Sequence, residues 1–280
     1  MHFVGLDLAW GEKKQTGVAA IDAGGRLLHV GIAQDDASII DAVAPFTGED
    51  CLVGIDAPLI VNNATGYRPA ETAYNRDFQK FDAGAYPANT TNPLFNPPRA
   101  AVLATALGLD MDPASNATRR AIEVYPHPAT VVLFGLDKTL KYKKGSFDDR
   151  RRELLKLMTL IEGLDNETPR LRANRSVAWV ELRRRVEAAT KPSQLDRDED
   201  AVDAVIAAYV ASYWYHRPED VTIYGDYETG YIVTPTMSAP ARPTPDRRSS
   251  RSSLENRLIR AMELLGDAQK ELAAIREALR

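Results

Sequence analysis

Phe3-Val4-Gly5-Leu6-Asp7-Leu8-Ala9 opens the chain with an apolar run that carries an acid, and Cys51-Leu52-Val53-Gly54-Ile55-Asp56 repeats the pattern. Between them, Gly17 to Asp22 and Arg26 to Ala33 read as two further strands. The polar segment Gly11-Glu12-Lys13-Lys14-Gln15 leads into the first, as a hairpin turn, and Gly24-Gly25 into the second. Asp35 to Phe46 then spaces Ile39, Ile40, Val43 and Ala44 along one face of a helix behind an acidic start. Three antiparallel strands, a helix and a returning strand place the fourth strand parallel to the first, because parallel neighbours need a right-handed helical crossover. The expected class is α/β with a mixed sheet. Asp7 and Asp56 then emerge together at the carboxyl edge, where open α/β sheets carry their sites.

Residues 62–98 are polar, Asn-rich and Pro-rich, with Arg68, Glu71, Arg76 and Asp77. They read as an insertion with a short helix, lying over that edge as a lid or wall. Ala121-Ile122-Glu123-Val124-Tyr125 is a fifth strand stopped by Pro126-His127-Pro128. Helices are expected over 148–163, 175–189 and 199–215, and short strands around 222–224 and 230–233 close a domain spanning 1–237. A Pro/Ser/Arg-rich linker follows at 238–253, then a separate helix at 254–280. In it Leu258, Leu265, Leu272 and Leu279 recur every seven residues, with Leu254, Ala261, Ala268 and Ile275 at the alternate seam positions. That repeat predicts a coiled coil and a homo-oligomer, with a helix docked on its own domain as the alternative.

Composition narrows the function classes. The chain has 280 residues, 44% hydrophobic and 26% charged, enough for a substantial core. No apolar run approaches the roughly 20 residues of a membrane span, and no secretion signal is read at the start. Cys51 is the single cysteine, which excludes an intramolecular disulfide and a cysteine-based zinc site and suggests a reducing, cytoplasmic setting. A net charge of -4 argues against wholesale coating of nucleic acid but leaves room for a local basic strip.

The chemistry is carried by acids. Asp7, Asp56 and Glu123 lie in or at the end of predicted strands, while Asp200 and Asp203, three apart, share one helix face. Such acids at one edge repel unless a cation neutralises them, and Mg²⁺ or Mn²⁺ suits an all-oxygen set. Asp7, Asp56, Glu123 and Asp203 are the candidate metal ligands, and Asp200 completes the catalytic set. Each has an ordinary alternative: Asp56 as a turn cap, and Asp198, Glu199 or Asp200 as residues favoured at a helix start. Lys138, Lys141, Lys143, Lys144, Arg150, Arg151 and Arg152 follow the fifth strand and suit substrate phosphates, or else a solvated face balanced by Asp148, Asp149 and Glu153. Arg68 joins Lys141, Lys143, Lys144, Arg150 and Arg151 as a candidate substrate contact. His127 is a secondary base or ligand candidate, and Trp10, Trp179 and Trp214 are assigned to packing.

Gly5-Leu6-Asp7-Leu8-Ala9-Trp10, Gly54-Ile55-Asp56-Ala57-Pro58-Leu59, Glu123-Val124-Tyr125-Pro126-His127-Pro128, Lys141-Tyr142-Lys143-Lys144 and Asp200-Ala201-Val202-Asp203-Ala204 resemble the domain-of-unknown-function family 429 over about residues 1–236. That family is regarded as a group of predicted nucleases with a ribonuclease H-like fold: a three-strand antiparallel meander plus parallel strands, flanked by helices. By its analogy with RuvC-type resolvases, Asp7 matches the first-strand acid, Asp56 the fourth-strand acid, and Asp200 with Asp203 the pair on the last helix. Glu123 is a family feature without an equally close counterpart. Where those resolvases carry glutamate on strand four, this chain has the shorter Asp56. The resemblance implies a divalent-metal-dependent nuclease acting on DNA or RNA.

Two other classes stand beside it. A phosphotransferase of the actin and sugar-kinase type would need two glycine-rich phosphate loops, and Asp56-Ala57-Pro58 offers no glycine for the second. A catalytically silent module would use the C-terminal helix to recruit partners.

Overall fold

A computed structural model describes residues 1–11 and 14–237. The chain divides into Met1–Thr236 and Met237–Arg280, and the expected linker and heptad helix lie outside the described residues. Five strands form one sheet: β1 (His2–Asp7), β2 (Thr16–Asp22), β3 (Leu27–Ala33), β4 (Cys51–Ile55) and β5 (Arg119–Glu123). Their order is β3-β2-β1-β4-β5, antiparallel from β3 to β1 and parallel from β1 through β4 to β5. The first crossover is α1 (Asp36–Thr47), whose start is closed by Asp35 accepting from the Ser38 amide at 2.8 Å.

The insertion carries α2 (Pro69–Phe78) and ends at α3 (Arg99–Ala106), a helix that the sequence reading did not expect. β5 ends at Glu123, two residues before the predicted end at Tyr125. Pro126-His127-Pro128 does not merely stop it but begins α4 (Pro126–Phe134), because proline at the first helical position removes only an amide that has no intrahelical partner. α5 (Phe147–Gly163) and α6 (Val177–Glu187) fall close to expectation. The last helix, α7 (Pro192–His216), starts seven residues earlier than predicted, again on a proline, so Asp200 and Asp203 sit in its third and fourth turns rather than at its start. Their placement is thus not a matter of the helix dipole, whose effect is confined to the first turn. β6 (Val221–Asp226) and β7 (Gly230–Pro235) form a separate hairpin rather than extending the main sheet.

α7 lies on the backbone of the sheet itself. A Cβ added to Gly5 would stand 1.9 Å from the Ala204 carbonyl oxygen, and one added to Gly17 would stand 1.8 Å from that of Asp200. Only glycine permits this approach. Strand alternation then decides which side chains share the helix-facing side: Gly5 and Asp7 on β1, Gly54 and Asp56 at β4. The glycines seat the helix, and the acids two residues on meet its third and fourth turns. Behind them α7 is buried almost continuously from Ala201 to Ser212, with the fully buried Trp179 and Leu182 of α6 in the same core.

Candidate functional site

At the carboxyl edge of β1 and β4 the acids gather around one lysine. Lys143 Nζ lies 2.6 Å from Asp203 Oδ2, 3.3 Å from Asp7 Oδ2 and 3.8 Å from Asp200 Oδ1. Asp203 is wholly buried, and its other oxygen accepts from the Tyr142 hydroxyl at 2.6 Å. Asp200 accepts from the Gln15 side-chain amide at 3.1 Å. Asp56 follows β4 as Asp7 ends β1, held by its own amide donating to the Leu6 carbonyl at 2.8 Å. Its carboxylate pairs with no described residue. Glu199, one turn from Asp203, pairs with Arg150 at 3.0 Å.

Burial costs Asp7, Asp56, Asp200 and Glu199 their hydration, and these four stay protonated to higher pH than an ordinary acid. Asp7 is pushed up to about 7 by burial, against the pull of Lys143 and with the repulsion of Asp203 and Asp200 added. Asp56 is raised well above the usual range by burial and then by Asp7. Asp200 reaches about 6 and Glu199 about 7, in both cases through burial first. Lys143 itself is raised, because Asp203 and Asp7 outweigh its burial. One ammonium does not neutralise this group.

A pH dependence follows. Asp7 binds a proton in the folded state up to about pH 7 and in the unfolded state only to about pH 4. Its contribution to stability is therefore fully present below about pH 4 and is lost as pH rises through 7. His29 and His127 have lowered values and act in the opposite sense. Comparison with Asp7→Asn cancels them. In chelator, wild type should lose on the order of 2 kcal/mol more than Asp7→Asn between pH 5 and pH 8, measured by urea unfolding. Equal slopes would show that Asp7 titrates normally.

Glu123 lies on the same edge but is engaged elsewhere. Both its oxygens accept from the Arg68 guanidinium, and Oε2 also accepts from the Leu59 amide at 2.9 Å. Arg68, 1% exposed, also donates to Glu71 at 2.8 Å and to the Ile60 carbonyl at 2.9 Å. The network ties the insertion to β5 and to the chain just after Asp56. Arg68, a candidate substrate contact from the sequence, is thus a buried strut with no free face for a phosphate.

The other basic candidates also divide. Lys141 pairs with Asp82, Arg150 with Asp196 and Glu199, and Arg151 with Asp148 and the Ala189 carbonyl. Lys144 is exposed, lines the cleft and forms no ion pair with a described residue. Lys143, expected to meet phosphate, is the cation at the centre of the acids and also lines the cleft. Tyr142 has no role in the sequence reading; its ring stacks on His127 at 5.0 Å between centroids. Trp179 is buried as expected, and Trp214 packs on the core with Arg120 over its ring. Trp10 departs from the packing assignment. It is 44% exposed, braced edge-to-face on Phe95, and lines the same cleft as Asp7 and Asp56. It follows Asp7 by three residues, beyond the strand end, where no core position is available to it.

Mg²⁺ characteristically takes only one or two protein carboxylates and completes its shell with water and substrate phosphate. Asp7 and Asp56, all-oxygen donors on adjacent parallel strands in an open cleft, fit that need. They do not form a closed cage: among the described residues no three His, Cys, Asp or Glu side chains are placed to hold an ion by themselves.

The family described as Protein of unknown function (DUF429) matches residues 5–229, and the chain belongs to it. No curated protein and no solved structure matches the chain.

Proposed function

We propose that this chain is a divalent-cation-dependent phosphodiesterase acting on nucleic acid, with Asp7 and Asp56 holding Mg²⁺ or Mn²⁺. The observation that carries the reading is the pair of partly buried, under-neutralised carboxylates at the ends of adjacent parallel strands, opening into a cleft of about 1640 Å³. Small-ligand sites are typically about 300–1,000 Å³, so the cleft has room for several residues of a polymer. The meander followed by two parallel strands agrees with the ribonuclease H-like arrangement.

The bound cation would polarise a phosphate oxygen and lower the pKa of an attacking water. Asp200 and Glu199, raised to about 6 and about 7, line the cleft and can take up or release a proton near neutrality. Trp10 and Tyr86, 44% and 62% exposed, offer aromatic faces along the wall, and Lys144 offers a free charge. Aromatic stacking on unpaired bases favours a single strand or a frayed end. The lone, buried Cys51 accords with a reducing, cytoplasmic setting, and self-association is assigned to residues 254–280.

End-labelled single-stranded DNA and RNA, incubated with Mg²⁺ or Mn²⁺ and separately with chelator, test the proposal. Cleavage is expected only with the cation. Trp10→Ala should weaken oligonucleotide binding about tenfold while turnover at saturation holds, since one base stack contributes about 1–3 kcal/mol. Lys144→Ala should reduce the salt slope by about 0.7, the contribution of one phosphate contact on a single strand. Intact DNA and RNA under both cations would overturn the reading.

A further inference from the structure

The arrangement of the acids limits how many cations the site takes. Asp203 has one oxygen on Tyr142 and the other 2.6 Å from Lys143 Nζ, with none of its side chain exposed. Glu123 is taken up by Arg68, and Glu199 by Arg150. Asp200 shares Lys143 and Gln15. Asp56 alone in this group has no partner among the described residues, and Asp7 is held only by the outer reach of Lys143, at 3.3 Å. Two carboxylates thus remain for a cation, and two negative charges match one divalent ion.

Lys143 is held by protein on three sides. Its ammonium is placed between β1 and α7 by Asp7, Asp200 and Asp203, where a second ion bridging those elements would stand. An ammonium and a divalent ion do not share that space, since like charges so close repel strongly.

We infer that the site is a one-cation site in which the Lys143 ammonium, anchored by Asp203, occupies the place of a second metal ion. Asp203 is then a positioning residue for Lys143 and not a metal ligand. Lysine is well suited to the role: a compact point charge on a flexible stem can face a phosphate oxygen from one side while the metal faces it from the other. This rests on the metal reading above.

Calorimetric titration of Mn²⁺ into the full chain, with manganese paramagnetic resonance to count bound ions, tests it. Wild type should bind one ion, and Lys143→Met should bind two, the second in the space the ammonium leaves. Asp203→Asn should keep one ion with affinity changed less than about threefold. Circular dichroism of each metal-free variant establishes folding, and Asp203→Asn stands as an independent arm should Lys143→Met not fold. Two ions on wild type, an unchanged single ion on Lys143→Met, or loss of binding in Asp203→Asn would each overturn the inference while leaving the metal reading in place. No ion on wild type would overturn both.

Discussion

Asp7→Asn is expected to lower Mn²⁺ affinity by more than about 100-fold while leaving the metal-free fold intact. Substitutions that only touch a ligand's supporting partner typically cost 10–100-fold, and Asp7 is assigned as one of only two ligands. The change removes a charge without altering volume at a position whose carboxyl already holds a proton up to about pH 7, so the amide resembles the state that the folded protein favours. Lys143 loses one partner but keeps Asp203 at 2.6 Å and Asp200 at 3.8 Å. Relief of repulsion with Asp203 and Asp200 offsets that loss, and metal-free stability should be unchanged or slightly higher. Titration of Mn²⁺ against wild type and variant, with urea unfolding in chelator, reads both effects. A loss of several kcal/mol without metal would make Asp7 a structural residue and remove it from the site.

Gly5→Val is expected to destabilise the chain by at least about 3 kcal/mol, or to prevent folding. The first added carbon alone would stand 1.9 Å from the Ala204 carbonyl oxygen and 2.4 Å from the Ala208 amide. Both are backbone atoms of a buried helix, so no side chain can turn aside. Overpacking a core by a methylene or two costs about 1–3 kcal/mol where neighbours can shift, and here the shift must be that of α7 as a body. The same displacement would carry Asp200 and Asp203, with the Lys143 ammonium they hold, away from Asp7. Gly24→Ala, whose added carbon would meet only the Asp22 side chain at 3.3 Å, is the control and should cost little. Equal stability of Gly5→Val and wild type, measured by urea unfolding, would show that the helix does not sit on the sheet as described.

The sheet was legible because its strands carry unambiguous period and punctuation. Val4 to Asp7 and Val53 to Asp56 are short apolar runs ending in the same way, and Gly24-Gly25 marks a turn; together they set the pairing of β1 with β4 and of β2 with β3. Pro126 reads as a strand stop in a linear pattern, yet it stands at the first turn of a helix, where the missing amide costs nothing. The acidic run at 198–200 reads as a helix start, whereas α7 begins on Pro192, two turns earlier. The glycines at 5, 17 and 54 were visible, but that they mark one helix contact is a property of the packed layers.

The acids of the site could be collected from the sequence because strand ends and a helix face place them by rule. Their partners could not. Arg68 finds Glu123 across 55 residues and Lys143 finds Asp7 across 136, distances over which composition carries no pairing information. Lys143 and Lys144 are adjacent and chemically identical in sequence. Only the fold turns one into the buried acids and leaves the other to solvent. Trp10 carried a signal that was passed over: a large aromatic three residues past the end of an edge-pointing strand has left the core layer.

Diffraction from a crystal soaked in Mn²⁺ shows whether Asp7 and Asp56 hold the cation. One anomalous peak is expected at about 2.1 Å from carboxylate oxygens of both Asp7 and Asp56, a coordination distance suited to a small hard cation. A crystal that shows no peak between these two side chains at saturating Mn²⁺ would contradict it.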